Sequence, residues 1–162
     1  MNDSQSTQDI LILAPVIKSV AVRLPIEAAF RLFFEEINSW WPLVSHSVGG
    51  SKTVACRMEQ RVGGRFYEIQ EDGVQSDWGQ VLIWEPPQRV VFTMHPGRAP
   101  NLATQVEVNF QPEADGTRLT LTHTKWEQSG ERAAAMRENY ESGWDHVLGK
   151  YLTLVTEMSA SV

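Results

Sequence analysis

The feature that most constrains the fold is a long amphipathic segment near the C-terminal end of the chain. From Ser129 to Met158, apolar side chains recur at steps of three and four residues, the spacing of one helical face. A helix of about 28 residues is roughly 42 Å long at 1.5 Å per residue, enough to cross a whole small sheet. Ser129 is predicted as the N-cap, because its hydroxyl suits that position.

Short alternating segments fill most of the preceding chain. Six apolar runs between residues 53 and 125 are separated by Gly or Pro turn signals, a pattern typical of an antiparallel meander. A further alternating run at residues 16–24 precedes Pro25 and a helical stripe from Ile26 to Ile37. The order strand, helix, six strands and helix predicts an α+β fold, a curved antiparallel sheet of about seven strands wrapped around the long helix. A gap between such a sheet and helix is a natural site for an apolar ligand.

Composition bounds the class of protein. The 162 residues correspond to one domain, placed at residues 16–159 after a flexible tail at residues 1–15. The net charge of 14 − 20 = −6 argues against nucleic-acid binding. The N-terminus has no basic signal-peptide region, and the apolar stretch at residues 10–17 is too short to span a bilayer. A cytoplasmic protein without membrane insertion is therefore expected.

The residue types that carry metal or nucleophilic chemistry form no recognised motif. The four histidines, His46, His95, His123 and His146, lack the spacing of metal ligands, so neither a metal nor a cofactor is predicted. Cys56, the single cysteine, excludes an internal disulfide. It alternates in phase with Val54 and Met58, which predicts a buried, inert thiol. No catalytic residue is predicted.

Three polar or small residues each leave two interpretations open. His123 continues the inward register of Leu121, so it is either a hydrogen-bonded histidine at a cavity edge or a polar handle for a ligand. Arg137 is in phase with the apolar helical stripe, and it either reaches solvent or a carboxylate, or binds an anionic group of a ligand. Gly143 either lets the helix approach a strand or leaves space for a ligand.

Six tryptophans are an unusual number for a chain of this length. Trp144 lies on the inner stripe of the long helix, while Trp40 and Trp41 precede a glycine-containing loop at residues 43–51. Trp78 and Trp84 share a strand face if no bulge intervenes. These indoles suit an aromatic-lined cavity, and they equally suit ordinary core packing.

An ordered series of short motifs is similar to a known superfamily. The motifs are Trp41-Pro42, Val62-Gly63-Gly64-Arg65-Phe66, Asp72-Gly73, Trp78-Gly79-Gln80-Val81, Trp84-Glu85-Pro86-Pro87, Asp115-Gly116-Thr117 and Gly143-Trp144. Together they resemble the SRPBCC superfamily (START-like, birch-pollen-allergen-like), and within it the bacterial branch related to the C-terminal domain of the heat-shock-protein-90 ATPase activator. The resemblance implies the helix-grip fold, in agreement with the periodicity.

The first functional hypothesis is binding of a small hydrophobic or aromatic ligand between sheet and helix, with Trp40 and Trp41 at the entrance. The resemblance implies two alternatives: a co-chaperone-like, stress-related module for a heat-shock-protein-90-type chaperone, and an enzyme acting on an aromatic or polyketide-like substrate in the same cavity. The chain is expected to lack the activator's additional N-terminal domain, and to be a monomer or homodimer. The predicted cavity residues are Trp78, Val81, Ile83, Phe92, Met94, Val106, Val108, Leu121, His123, Arg137, Trp144, Val147, Leu148 and Tyr151.

Overall fold

The computed structural model describes residues 13–160, in which a seven-stranded antiparallel sheet curves around one long helix. The strands are β1 Val16–Val22, β2 Thr53–Met58, β3 Arg65–Gln70, β4 Gln75–Glu85, β5 Arg89–Met94, β6 Thr104–Glu113 and β7 Gly116–Thr124. The helices are α1 Ile26–Phe34, α2 Ile37–Trp40 and α3 Ala133–Ala160. The strand order β1-β7-β6-β5-β4-β3-β2 confirms the predicted α+β helix-grip fold. Most of the predicted N-terminal tail, residues 1–12, lies outside the described residues.

Two predicted helix boundaries are wrong. The long helix has 28 residues but begins at Ala133, because Gly130 adopts φ 62° and ψ −130° within a preceding 3-10 segment, so Ser129 is not its N-cap. The N-terminal helical stripe is divided into α1 and α2, since Glu36 has a non-helical φ of −102° and ψ of 23°. The stripe itself is real, and both short helices bury its apolar side chains.

Two bulges in β4 decide which of its side chains reach the core. One bulge adds a residue to β4 where it pairs with β3, and the other adds a residue where it pairs with β5. Each added residue reverses which of the following β4 side chains point inward. Trp78, Val81 and Trp84 therefore all belong to the core side, and the Trp84 ring packs 5.4 Å from that of Phe30. Ile83, predicted in phase with Val81, is half-buried on the other side of the bulge. The prediction that Ile83 lies on the inner face is therefore wrong.

Strand β2 confirms the buried thiol and corrects one neighbour. Cys56 is fully buried. Burial is the larger cause, and the negative charge of the nearby Glu68 the smaller one, that raises the pKa of the thiol to about 12, so the thiol is inert near neutral pH. Val54 is 56 % exposed and does not share that face. A register shift between Thr53 and Ala55 places Thr53 on the inner side instead.

One side of α3 is fastened to the N-terminal strand. The Lys18 ammonium of β1 lies 3.0 Å from the Asp145 carboxylate and 3.4 Å from that of Glu141. One turn earlier, the Arg137 guanidinium donates to the backbone carbonyls of Ala14, at 2.5 Å, and Pro15, at 3.0 Å. Arg137 thus holds the chain that enters β1, and its cation is already occupied by protein carbonyls.

Aromatic rings fill the gap between sheet and helix where α1 packs. Phe33 lies 5.0 Å from Tyr151 of α3, and Phe30 lies 5.4 Å from Phe110 of β6. The Tyr151 hydroxyl donates to the Ala29 carbonyl at 2.8 Å, which satisfies its polar atom inside the core. No helix within residues 13–160 is both long enough and apolar enough to cross a membrane.

Candidate functional site

A pocket of about 490 Å³ opens at the end of the sheet away from α1. Three elements form its wall: loop 41–52, which joins α2 to β2; the β4 and β5 region; and α3. Its lining residues are Trp41, Ser45, His46, Ser47, Val48, Trp78, Met94, Pro96, Gly97, Asn139, Tyr140, Gly143, Trp144 and Val147. None of these side chains is an Asp, Glu, Lys or Arg. The pocket is therefore aromatic and uncharged, with a small number of neutral polar groups.

The wall contributed by α3 follows from helical spacing. Asn139, Gly143 and Val147 succeed one another at intervals of four residues, so they form one stripe along the helix. Tyr140 and Trp144 lie beside this stripe, and their rings are 6.3 Å apart. Burial raises the pKa of the Tyr140 hydroxyl, and the nearby Arg98 guanidinium offsets part of that shift. Tyr140 is therefore a neutral phenol at physiological pH.

Loop 41–52 is held in a compact shape by its own hydrogen bonds. The Trp41 indole N–H donates to the His46 carbonyl at 2.8 Å, and the Ser47 hydroxyl donates to the Leu43 carbonyl. These bonds turn the His46 side chain toward α3, where its ring stacks on that of His146 with centroids 5.0 Å apart. Burial, and then the neighbouring His146, lowers the pKa of His46. A neutral imidazole therefore lies at the pocket wall.

The carboxylate of Glu68 joins this loop to the sheet. Glu68 is fully buried in β3, and its oxygen atoms accept five hydrogen bonds. The donors are the backbone N–H groups of Val48 (2.6 Å) and Gly49 (2.8 Å), the Thr53 hydroxyl (2.9 Å), the Gln70 amide (3.1 Å) and the Trp78 indole (2.6 Å).

Burial alone raises a carboxyl pKa, but the donors, led by the Val48 amide and the Trp78 indole, outweigh it, so the pKa of Glu68 is lowered. Glu68 is a buried anion stabilised entirely by N–H and O–H donors, and it fixes both the loop and the Trp78 wall.

The buried His123 imidazole is fixed by both of its nitrogen atoms. Its Nδ1 accepts the Trp144 indole N–H at 2.9 Å, and an indole nitrogen only donates, so Nδ1 carries no proton. Its Nε2 lies 2.6 Å from the hydroxyl oxygen of Thr104. That hydroxyl donates to the Met94 carbonyl at 3.2 Å, so His123 Nε2 carries the proton and donates to Thr104.

Burial, assisted by the positive charge of Arg98, lowers the pKa of His123 to about 3. Because neither nitrogen is free and His123 does not line the pocket, the geometry supports the hydrogen-bonded interpretation. It removes His123 as a polar handle for a ligand in this pocket.

The structure brings together five of the predicted cavity and entrance residues: Trp41, Trp78, Met94, Trp144 and Val147. The others lie elsewhere. Val81, Phe92, Val106, Val108, Leu121, Leu148 and Tyr151 are at most 2 % exposed in the packed core. Trp40 is also in the core, where its indole N–H donates to the carbonyls of Leu32 (3.1 Å) and Phe33 (3.2 Å). The predicted central cavity is thus displaced to one end of the fold, because aromatic rings occupy its middle.

Sequence reasoning missed the loop and the far end of the sheet. The sequence predicts a loop at Ser45, His46 and Ser47 without indicating a role for them, and no motif marks Glu68. One signal was available for Glu68: it has the inward register of Phe66 in a strand, and a buried carboxylate requires dedicated partners. Within residues 13–160, no group of three or more His, Cys, Asp or Glu side chains is arranged to hold a metal ion.

The chain matches one protein family model over most of its length. Residues 23–154 match the family described as Activator of Hsp90 ATPase homolog 1-like protein, and this segment contains every residue of the pocket. No curated protein sequence matches the chain.

Solved structures with the same fold align with nearly the whole chain. Protein NE0264 from Nitrosomonas europaea has a TM-score of 0.66 and 19 % identity, with 93 % of this chain and 97 % of that chain covered. The AHSA1-like protein from Aeromonas hydrophila has a TM-score of 0.63 and 23 % identity, with 90 % and 94 % covered. At these identities the likeness concerns the fold alone.

A third structure has a higher sequence identity. The anthrahydroquino-gamma-pyrone synthase Txn09 is 33 % identical, with 81 % of this chain and 89 % of that chain covered and a TM-score of 0.56.

The environment of His123 predicts an acid-sensitive fold. A histidine whose folded pKa is about 3 and whose unfolded pKa is near 6.5 binds fewer protons when folded, so its contribution to stability is full above pH 6.5 and is lost as the pH falls toward 3. Urea unfolding between pH 6 and pH 4 is expected to show a decrease of about 1.4 kcal/mol per pH unit from this group.

His123→Gln is expected to reduce that slope, whereas His146→Gln, at an exposed position, is expected to retain it. An identical slope in wild type and His123→Gln would contradict the assignment.

The hydrogen bonds of Glu68 predict a large effect of a nearly isosteric change. Glu68→Gln places an amide N–H₂ where two backbone N–H groups and the Trp78 indole can only donate, so buried donors lose their acceptor, and the free energy of unfolding is expected to fall by about 3 kcal/mol. Glu71→Gln, at an exposed position three residues later in the chain, is expected to change the free energy of unfolding by less than about 0.5 kcal/mol.

Hydrogen exchange at the Val48 and Gly49 amides is expected to accelerate in Glu68→Gln alone. Unchanged exchange at these two amides would show that Glu68 does not hold the loop.

Proposed function

Because the chain belongs to the Activator of Hsp90 ATPase homolog 1-like family, and the family segment includes the whole pocket, we propose that this pocket binds a planar, uncharged aromatic molecule. The observation that carries the proposal is the lining itself. Trp41, Trp78 and Trp144 supply indole surface, and no charged side chain contributes to the wall. Ligand pockets of about 300–1,000 Å³ typically combine such apolar walls with few polar groups, and this pocket lies in that range.

The polar groups at the pocket suit hydroxyl or carbonyl oxygen atoms. His46 is held neutral, and the Ser45 hydroxyl lies 2.7 Å from its Nδ1. Asn139 adds an amide at the exposed rim. Such groups orient an uncharged ligand by hydrogen bonds, whereas an ionised ligand would find no counter-charge in the wall. The ligand class that fits is therefore an aromatic molecule with oxygen substituents.

The relative with the highest of the three identities supports the same ligand class. The name of Txn09 denotes a synthase of an anthrahydroquinone fused to a pyrone, a planar aromatic skeleton.

A catalytic role is the second candidate function, favoured by the 33 % identity to this synthase. Interaction with a heat-shock-protein-90-type chaperone, to which the family description refers, stays a prediction.

Binding is tested with 1,8-dihydroxyanthraquinone as the probe. At ten times its Kd, a ligand that binds only the folded state stabilises it by RT ln 11, about 1.4 kcal/mol, which corresponds to a rise in Tm of about 3–6 °C. Asn139→Phe is expected to obstruct the pocket and weaken binding at least about 10-fold, since a phenyl ring then occupies the rim. Glu138→Phe, exposed on the same helix and outside the pocket, is the matched control. No rise in the Tm of the wild type, or equal loss in both variants, contradicts the proposal.

The catalytic candidate is tested with a hydroxyanthraquinone that carries a 1,3-diketone side chain beside the hydroxyl. Ring closure forms a C–O bond to one ketone carbon and releases one water, which gives a gamma-pyrone. His46 is the neutral imidazole in the pocket and is assigned the proton transfers, so His46→Gln is expected to slow the reaction by about 100-fold or more. Equal rates for wild type, His46→Gln and buffer would exclude this activity for the probe.

A further inference from the structure

Gly143 occupies a position where neither the backbone nor the packing requires glycine. It lies within the continuous helix α3, where glycine is less favourable than alanine. Its φ is outside the left-handed region, and an added Cβ would meet only the His46 ring, 3.7 Å from Nε2 and 4.0 Å from Cδ2. Both distances are ordinary van der Waals contacts. The fold would therefore accept alanine at this position and gain helix stability from it.

What distinguishes Gly143 is its place in the pocket wall. It is one helical turn from both Asn139 and Val147, so it is the middle residue of the α3 stripe that faces the pocket. The missing side chain leaves a notch about one methyl group deep, bordered by the edge of the His46 imidazole. Gly149 on the same helix also has open space around it, but it lies outside the pocket and is exposed.

The imidazole at this notch has one polar atom available. His46 Nδ1 is engaged by the Ser45 hydroxyl at 2.7 Å. The Nε2 atom has no hydrogen-bond partner in the described part of the chain, and it is the atom nearest to the position of a Cβ at Gly143. The His146 ring of α3 stacks on the His46 ring, with centroids 5.0 Å apart, and this contact holds the plane of the imidazole. A steric notch and a free polar atom therefore coincide.

We propose that Gly143 and His46 form the subsite that selects the ligand of this pocket. The ligand is a fused-ring aromatic whose edge lies against the Gly143 backbone and whose edge hydroxyl or carbonyl oxygen bonds to His46 Nε2. The inference rests on the proposed binding function and adds the determinants of shape and of polar recognition. Glycine is not required at position 143 by the fold and does not stabilise the helix. The missing Cβ leaves space for the edge of a fused-ring ligand beside the imidazole.

The steric part is tested by calorimetric titration of wild type, Gly143→Ala and Gly149→Ala. Both substitutions are expected to raise the Tm of the free protein by about 2–4 °C through helix propensity. Gly143→Ala is expected to weaken binding of 1,8-dihydroxyanthraquinone by about 10- to 200-fold, the usual effect of one misplaced methyl group in a tight apolar pocket. It is expected to weaken the two-ring 1-naphthol less than about 3-fold, and Gly149→Ala is expected to leave both affinities unchanged.

The polar part is tested with His46→Phe, which keeps an aromatic ring and removes Nε2. Binding of 1-naphthol is expected to weaken by about 3- to 10-fold, the usual value of one neutral hydrogen bond, while binding of naphthalene is unchanged. If the wild type binds both hydroxylated probes and Gly143→Ala binds them with the same affinity, the subsite is wrong and the binding function stands. If the wild type binds no probe, the binding function itself is contradicted, and the subsite with it.

Discussion

The buried carboxylate of Glu68 is the interaction on which the pocket depends. An anion inside a protein is costly unless donors surround it, and Glu68 has five, drawn from loop 41–52, from the sheet and from the Trp78 indole. Any conformation that releases the loop from the sheet leaves this charge with fewer partners. The loop is thereby fixed at the distance from α3 that creates the pocket, and Trp78 is oriented as one wall. Glu68 does not line the pocket itself, but it positions Val48 and Trp78, which do.

A second buried polar group holds the opposite wall. His123 links Trp144 of α3 to Thr104 of β6 through its two nitrogen atoms, and through Thr104 to the Met94 carbonyl of β5. Because the imidazole is neutral, this chain of hydrogen bonds needs no counter-ion. Trp144 is thus fixed by a hydrogen bond in the same way as Trp78. Both indoles present their apolar rings to the pocket while their N–H groups are satisfied behind it.

Local patterns were sufficient to predict most of the fold. The three- and four-residue spacing of α3, the alternation in the strands and the turn residues predicted the helix-grip architecture and its element order. The helix boundaries were predicted wrongly because Gly130 and Glu36 have unusual dihedral angles. The face of Ile83 was predicted wrongly because a bulge precedes it in β4. Bulges depend on pairing with the neighbouring strands, and one sequence carries little signal for them.

The site was less predictable, because its position depends on volume. The inward residues of β5, β6 and β7 were correctly expected inside, but the rings of Phe30, Phe33 and Phe110 occupy the space beside them. The open space remains where loop 41–52 crosses α3, and the shape of that loop follows from its contacts with Glu68, far away in sequence. Trp41, Trp78 and Trp144 line this open space, as the sequence predicts, and their contact with a ligand stays a prediction.

The indole N–H signals in a heteronuclear NMR titration test the central claim most directly. The six tryptophans divide into three that line the pocket, Trp41, Trp78 and Trp144, and three that do not, Trp40, Trp84 and Trp126. On addition of 1-naphthol, the account predicts saturable shifts of the first three signals at one common Kd, with the other three nearly unmoved. Shifts confined to Trp40, Trp84 or Trp126, or no saturable shift at all, would contradict it.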